Sequence, residues 1–84
     1  MNTKTILREF ISENFLFGNG QALEDDTNLF ENGIIDSTGI IELISFLEMK
    51  FKISIEDEEL ITDNFSNLNS IGLFLQRKTA VINN

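Results

Sequence analysis

The chain has 84 residues, enough for one small domain, since domains usually span roughly 50–250 residues. It contains no cysteine and no histidine, which excludes disulfides, zinc sites built on those residues, and catalysis by Ser-His-Asp or Cys-His groups. Six basic and 14 acidic residues give a net charge of −8, which disfavours nucleic acid and anionic membranes as partners and favours basic protein surfaces.

An amphipathic pattern opens the chain and predicts a first helix, with Asn2 or Thr3 as its N-cap and Ile6, Leu7, Phe10 and Ile11 on one face. The turn signal Gly18-Asn19-Gly20 ends this helix. Residues 18–36 then form a long connection with a short helical turn near Thr27–Phe30. Five apolar side chains in the connection require burial, namely Leu23, Leu29, Phe30, Ile34 and Ile35.

The strongest helical pattern covers Ser37–Phe51, where the apolar stripe consists of Ile40, Leu43, Ile44, Leu47 and Phe51. Residues 53–55 are predicted to be extended, and the acidic segment 56–61 is predicted to form a short third helix. Ser66 or Asn67 can cap a last helix. Leu68, Ile71, Phe74 and Leu75 form the apolar face of that helix, and Gly72 would allow a close approach there.

These elements predict an all-α fold, a four-helix bundle with a short third helix and a long loop between helices one and two. We expect one domain over residues 1–84, folded over about 3–78, with a frayed C-terminal tail. The N-terminus lacks the pattern of a signal peptide, and no apolar run is long enough to insert into a membrane. A monomer in the cytoplasm is therefore expected.

Asp36 and Ser37 directly precede the strongest helical stripe. Serine is a favoured N-cap and aspartate favours a helix N-terminus, so a purely structural role would stabilise the helix by about 1 kcal/mol. The same position suits a phosphate, because a helix N-terminus offers unpaired N–H groups and a partial positive charge. The isolated pair leaves both roles open.

The surrounding register extends this pattern. Leu29-Phe30-Glu31-Asn32-Gly33-Ile34-Ile35-Asp36 precedes Ser37, and Ile40-Ile41-Glu42-Leu43 and Phe46-Leu47-Glu48 follow it. This order resembles the acyl and peptidyl carrier proteins over nearly the whole chain, including their four-helix fold. The resemblance implies that Ser37 is the attachment point for 4′-phosphopantetheine, delivered from coenzyme A by a phosphopantetheinyl transferase. The terminal thiol of that arm carries acyl or aminoacyl groups as thioesters.

The resemblance also assigns roles around Ser37. Asp36 matches the aspartate that engages the transferase and its metal, although no resident metal site is expected in the chain itself. Thr38, Ile41, Glu42 and Glu48 match or adjoin positions that meet partner proteins. The expected partners are the transferase, a loading ligase or adenylating enzyme, and a downstream synthase or transferase.

Two positions depart from the fatty-acid carriers: residue 38 is Thr where Leu is usual, and residue 39 is Gly where Asp is frequent. These departures favour a stand-alone carrier in a specialised polyketide, nonribosomal-peptide-like or aminoacyl pathway. Gly39 costs up to about 1 kcal/mol of helix propensity, which leaves open a close contact at that position. A fatty-acid carrier and a D-alanyl carrier remain alternatives.

A different class of protein remains open as well, a small helical adaptor in which Ser37 is only a helix cap. An enzyme is not expected, because Ser37 would need a general base. The chain has no histidine, and Lys50 and Lys52 lie several helical turns away.

Overall fold

Four α-helices and one 3₁₀ turn make up the described part of the chain. The structure is a computed structural model that describes residues 3–16 and 23–82, without the side chains of 80–82. Helix α1 covers Thr3–Phe15, α2 covers Gly39–Phe51, α3 covers Thr62–Phe65 and α4 covers Leu68–Ile82, and the 3₁₀ turn is Asp57–Glu59. The all-helical fold with a long connection and a short third helix is therefore confirmed.

The core is built from the apolar stripes of these helices and from side chains of the long connection. Its buried members are Leu7, Ile11, Leu23, Leu29, Ile35, Leu43, Leu47, Ile53, Phe65, Leu68, Ile71, Phe74 and Leu75. Three of them come from the connection between α1 and α2. The connection is therefore part of the hydrophobic core, as its apolar residues predicted.

Hydrogen bonds fasten the long connection to the rest of the fold. The Asn28 side chain accepts from the N–H groups of Phe30 and Glu31 and caps a short turn. The N–H of Leu29 donates to the carbonyl oxygen of Ser66 at 2.8 Å. The carbonyl oxygen of Asp25 accepts from the N–H of Asn69 at 3.1 Å, where α4 begins. The connection thus brings Asp36 and Ser37 to a fixed place at the start of α2.

Aromatic side chains join α1 to α2. The Phe10 ring of α1 stacks on Phe46 of α2 with centroids 3.9 Å apart, and Phe15 meets Phe10 edge-on at 6.1 Å. Phe15 also lies beside Gly39 in the first turn of α2. Because the end of α1 lies beside the beginning of α2, the two helices are antiparallel in this region.

The helical turns predicted over 56–61 are reduced to a single 3₁₀ turn, Asp57–Glu59. The short α-helix that follows, α3, begins only at Thr62, outside the predicted segment. The Glu59 carboxylate accepts from the N–H of Glu56, and the N–H of Glu59 donates to the Glu56 carbonyl, at 2.9 Å in each case. This closes the turn, and Ile61 then adopts an extended conformation.

Details of α4 also differ from the expectation. Asn67 caps α4 through the N–H of Ser70, at 2.7 Å, as predicted. A Cβ atom at Gly72 would meet no atom within 4 Å, so the predicted close approach there was wrong. The helix extends from Leu68 to Ile82. The predicted Asn2 cap, the Gly18-Asn19-Gly20 turn and residues 83–84 lie outside the described residues.

Candidate functional site

Ser37 lies on the surface, two residues before the first helical residue of α2. No side chain or backbone group of the described residues forms a hydrogen bond with its hydroxyl. The predicted alternative, in which Ser37 caps α2, is therefore not what the structure shows. The hydroxyl is exposed and has no hydrogen-bond partner among the described residues, so a bulky group can be added to it without loss of packing or of a hydrogen bond.

Asp36 caps α2 in place of Ser37. Its Oδ1 accepts hydrogen bonds from the N–H groups of Gly39, at 2.7 Å, and Thr38, at 3.1 Å. Its backbone carbonyl accepts from the N–H of Ile40 at 2.9 Å. These three bonds hold the chain on both sides of Ser37, so that the serine is presented at a rigid helix start.

The first turn of α2 offers fewer free donors than the sequence indicated. The N–H groups of Thr38, Gly39 and Ile40 all donate to Asp36, and that of Ile41 donates to the carbonyl of Thr38 at 3.2 Å. The expected cluster of unpaired N–H groups for a phosphate is thus already occupied. The Asp36 carboxylate takes the place that an anion would otherwise have at this helix N-terminus.

An apolar groove of about 360 Å³ lies beside this turn, between α2 and the chain around α3. Its lining includes Phe30, Ile40, Ile41, Ile44, Leu60 and Ile61. Ile41, Leu60 and Ile61 are 65%, 47% and 51% exposed. The sequence pattern did not single out Leu60 and Ile61 as lining residues of this groove, although two adjacent apolar residues after an acidic run could have indicated them.

The predicted docking residues fall into two groups. Thr38, directly before α2, and Ile41 and Glu42, on α2, are exposed within two turns of Ser37. Glu48 is half-buried, and its Oε2 accepts a hydrogen bond from the N–H of Ile55 at 2.9 Å. Glu48 therefore has a structural role in joining α2 to the extended segment after it, whereas the other three side chains face solvent.

Within the described ranges 3–16 and 23–82, no helix is long and apolar enough to cross a membrane. The same residues contain no cluster of three or more acidic side chains arranged to hold a metal ion. The candidate site thus far described consists of an exposed serine, a capping aspartate and an adjoining apolar groove.

A family model described as "Phosphopantetheine attachment site" matches residues 6–75, most of the chain. The chain belongs to this phosphopantetheine-attachment family of carrier proteins. Its prosthetic group is a covalently attached 4′-phosphopantetheine, and the free hydroxyl at the start of α2 fits such an attachment.

Curated relatives agree with this family. The chain is 37% identical over 70 residues to "Probable acyl carrier protein PigG" of Serratia sp., covering 83% of this chain and 80% of that protein. It is 34% identical over 71 residues to a D-alanyl carrier protein of Streptococcus thermophilus, covering 84% and 87%. A D-alanyl carrier protein of Lactococcus lactis subsp. cremoris is 40% identical over 63 residues, which cover 74% and 80%.

A solved structure shows the same fold. A chain in the structure described as "Crystal structure of FAD-dependent dehydrogenase" aligns with a TM-score of 0.75 and 25% sequence identity. The match covers 82% of this chain and 97% of that chain. The two chains therefore have a common helical architecture over nearly the full length of the matched chain.

Proposed function

We propose that Ser37 Oγ is the attachment atom and that the protein is a stand-alone, non-catalytic carrier. The observation that carries this proposal is an exposed serine whose hydroxyl has no partner among the described residues, held beside a capped helix start. When bound, phosphopantetheine supplies a terminal thiol on which acyl or aminoacyl groups are held as thioesters. The contribution of the chain is to present the hydroxyl.

Asp36 has two roles in this proposal. Its Oδ1 caps α2 and so fixes the backbone around Ser37. Its carboxylate is also exposed, which leaves it accessible to the divalent metal of a transferase. Magnesium commonly combines one carboxylate with substrate phosphate oxygens, and this arrangement would bring coenzyme A to the serine.

Partner docking is proposed for the exposed side of α2 and the adjoining groove. Ile41 supplies apolar area next to Leu60 and Ile61, and Glu42 supplies negative charge. Single exposed charge pairs contribute only about 0–1 kcal/mol each, so docking should be weak and salt-sensitive. Thr38 and Glu48 remain in the proposed docking set, Glu48 by its charge only, since its carboxylate also binds Ile55.

The proposed partners are a phosphopantetheinyl transferase, a loading ligase or adenylating enzyme, and a downstream synthase or transferase. The matching solved structure is described as that of a FAD-dependent dehydrogenase, so we add a flavin dehydrogenase as a further class of partner to test. We place the carrier in the cytoplasm, where coenzyme A is available, as a monomeric domain over residues 1–84.

The proposed pathway is a specialised one, with an acyl or aminoacyl cargo. The similarity to an acyl carrier protein supports the acyl alternative, and the D-alanyl carrier relatives support D-alanine. The two are separated by offering the modified carrier to a D-alanine-activating ligase and measuring thioester formation by mass spectrometry. No D-alanyl product at ligase concentrations that load a D-alanyl carrier protein would exclude that cargo.

The attachment proposal is tested by incubating the purified chain with coenzyme A and a promiscuous phosphopantetheinyl transferase. Intact mass spectrometry should show the addition of one phosphopantetheine to the wild type and none to Ser37→Ala. Ser54→Ala is the matched control, because Ser54 is another exposed serine and lies outside the proposed docking groove. It should be modified like the wild type.

Modification of Ser37→Ala would place the attachment elsewhere. An unmodified wild type, with the transferase active on another carrier, would instead support a helical adaptor.

A further inference from the structure

The start of α2 carries a contact that the attachment role alone does not explain. Gly39 is buried, and a Cβ atom built on it would lie 2.8 Å from Cε1 of Phe15, closer than real Cβ atoms approach. The same Cβ would lie 3.3 Å from Oδ1 of Asp36, the oxygen that accepts from the N–H groups of Thr38 and Gly39. A side chain at residue 39 would therefore disturb α1 and the helix cap together.

Backbone conformation does not account for this glycine. Gly39 is the first residue of α2, and among the described glycines the positive φ belongs to Gly33. Alanine is the better helix former at a position with ordinary helical geometry. The glycine is required here for space, because the Phe15 ring occupies the volume in which a side chain would lie.

Phe15 also has an aromatic contact within α1. Its ring contacts Phe10 edge-on with centroids 6.1 Å apart, and Phe10 stacks on Phe46 of α2 at 3.9 Å. A shift of the Phe15 ring to make room at residue 39 would disturb its contact with Phe10. The new Cβ would also crowd Oδ1 of Asp36 at 3.3 Å, so part of the displacement would fall on residues 36–39, the segment that contains Ser37.

We propose that Gly39 is a positioning residue for the transfer of phosphopantetheine to Ser37. This inference rests on the attachment role proposed above. The absence of a side chain lets Phe15 close against the first turn of α2 and leaves the Asp36 carboxylate in its capping position. The two contacts together hold the serine hydroxyl in the orientation that a transferase must meet.

The test is the steady-state kinetics of transfer from coenzyme A to Gly39→Ala, Phe15→Leu and the double variant. For Gly39→Ala we expect kcat to fall by about tenfold or more, because an ångström of misplacement is costly to a positioned reaction. KM should change little, since the proposed docking residues Ile41 and Glu42 are untouched. The melting temperature should fall as well, although alanine is the better helix former.

Gly72→Ala is the matched control. Gly72 is also a helical glycine, but a Cβ atom there would meet nothing within 4 Å. This variant should melt at a higher temperature than the wild type and accept phosphopantetheine at the wild-type rate. A comparison of the two alanine variants separates the local contact at Gly39 from the general effect of replacing glycine in a helix.

Phe15→Leu should relieve the loss of kcat caused by Gly39→Ala, because leucine has no atom equivalent to Cε1 of the ring. The double variant should therefore recover kcat to within about threefold of Phe15→Leu alone, a coupling expected of residues in contact. All rates are measured below the lowest melting temperature, with circular dichroism to show that each variant is folded.

Equal kcat values for the wild type and Gly39→Ala would overturn this inference and leave the attachment role intact. A double variant whose kcat is reduced by the product of the two single-variant reductions would also overturn this inference and leave the attachment role intact. A wild type that is not modified at all would overturn the attachment role, and the positioning role with it.

Discussion

Asp36 and Ser37 are adjacent in the chain, but of the two only the Asp36 side chain forms hydrogen bonds with the start of α2. The Asp36 carboxylate accepts two backbone hydrogen bonds at the start of α2, whereas the Ser37 hydroxyl accepts and donates none among the described residues. Serine and aspartate are both good N-caps, so either could have capped the helix. The use of the aspartate leaves the serine free for modification.

The two proposed roles of Asp36 can be separated by a pair of variants. Asp36→Ala removes the cap and should lower the free energy of unfolding by about 1 kcal/mol, whereas Asp36→Asn retains an acceptor oxygen and should cost only a few tenths. Both variants lose the carboxylate that a transferase metal would bind. Chemical denaturation measures the first effect, and the rate of phosphopantetheine transfer measures the second.

A loss of transfer in both variants is the expected result. If Asp36→Asn is modified as fast as the wild type, the carboxylate acts as a helix cap only and the metal role is wrong.

At this scale the sequence singled out the two candidate residues but did not predict which of them caps the helix. The Asp36-Ser37 pair before an apolar stripe, within the register of carrier proteins, was enough to single out both. Propensity does not distinguish a capping serine from a capping aspartate one residue earlier, because both residue types rank alike. The backbone path through 36–39 decides which side chain reaches the N–H groups, and here it is that of Asp36.

At the scale of elements, Glu48 connects α2 to the segment that follows. Its Oε2 accepts from the N–H of Ile55, seven residues later, and Ile53 between them is buried. Glu48→Ala should lower the free energy of unfolding by about 1 kcal/mol, because it leaves the half-buried Ile55 N–H without its acceptor. Glu48→Gln keeps an acceptor and should be close to the wild type in urea denaturation.

The glutamine variants also test docking. Glu42 is exposed, so Glu42→Gln removes charge without a structural cost and should raise the KM for a basic partner at low salt. If Glu48→Gln leaves KM unchanged under the same conditions, the contribution of Glu48 is structural and its predicted docking role is wrong.

The third helix shows where the sequence was ambiguous at this scale. A run of four acidic residues followed by two apolar ones is compatible with a helix over 56–61 or with a turn before a later helix. The reciprocal binding of Glu56 and Glu59 and the pairing of Glu59 with Lys78 of α4 at 2.9 Å favour the turn. The second of these contacts is long-range, so no local pattern could contain it.

At the scale of the whole molecule, two carboxylates link distant segments. Asp25 in the connection pairs with Arg8 and, at 3.4 Å, with Lys4 of α1, and the Arg8 hydrogen bond lowers the pKa of Asp25 from its ordinary 3.8. The backbone N–H of Glu56 and the Lys78 ammonium lower the pKa of Glu59 from 4.5. Both groups therefore favour the folded state when ionised.

This predicts the direction of acid destabilisation. A carboxylate whose pKa is lower in the folded state contributes stability above its unfolded pKa and loses it as the pH falls through the folded pKa. Urea denaturation should therefore show a stability that is level near neutral pH and declines as the pH falls below about 5. Asp25→Asn combined with Glu59→Gln should make this decline shallower, and an unchanged decline would assign it to other carboxylates.

The occupied donors at the start of α2 also determine how a bound arm behaves. Every backbone N–H from residue 38 to residue 41 already has an acceptor in the chain, so the helix end would offer none of these donors to a phosphodiester on Ser37. The neighbouring Asp36 carboxylate would repel such a group. An arm attached at the proposed serine would therefore be held at its root by one covalent bond and would pivot in water, which suits a group that must move between separate enzymes.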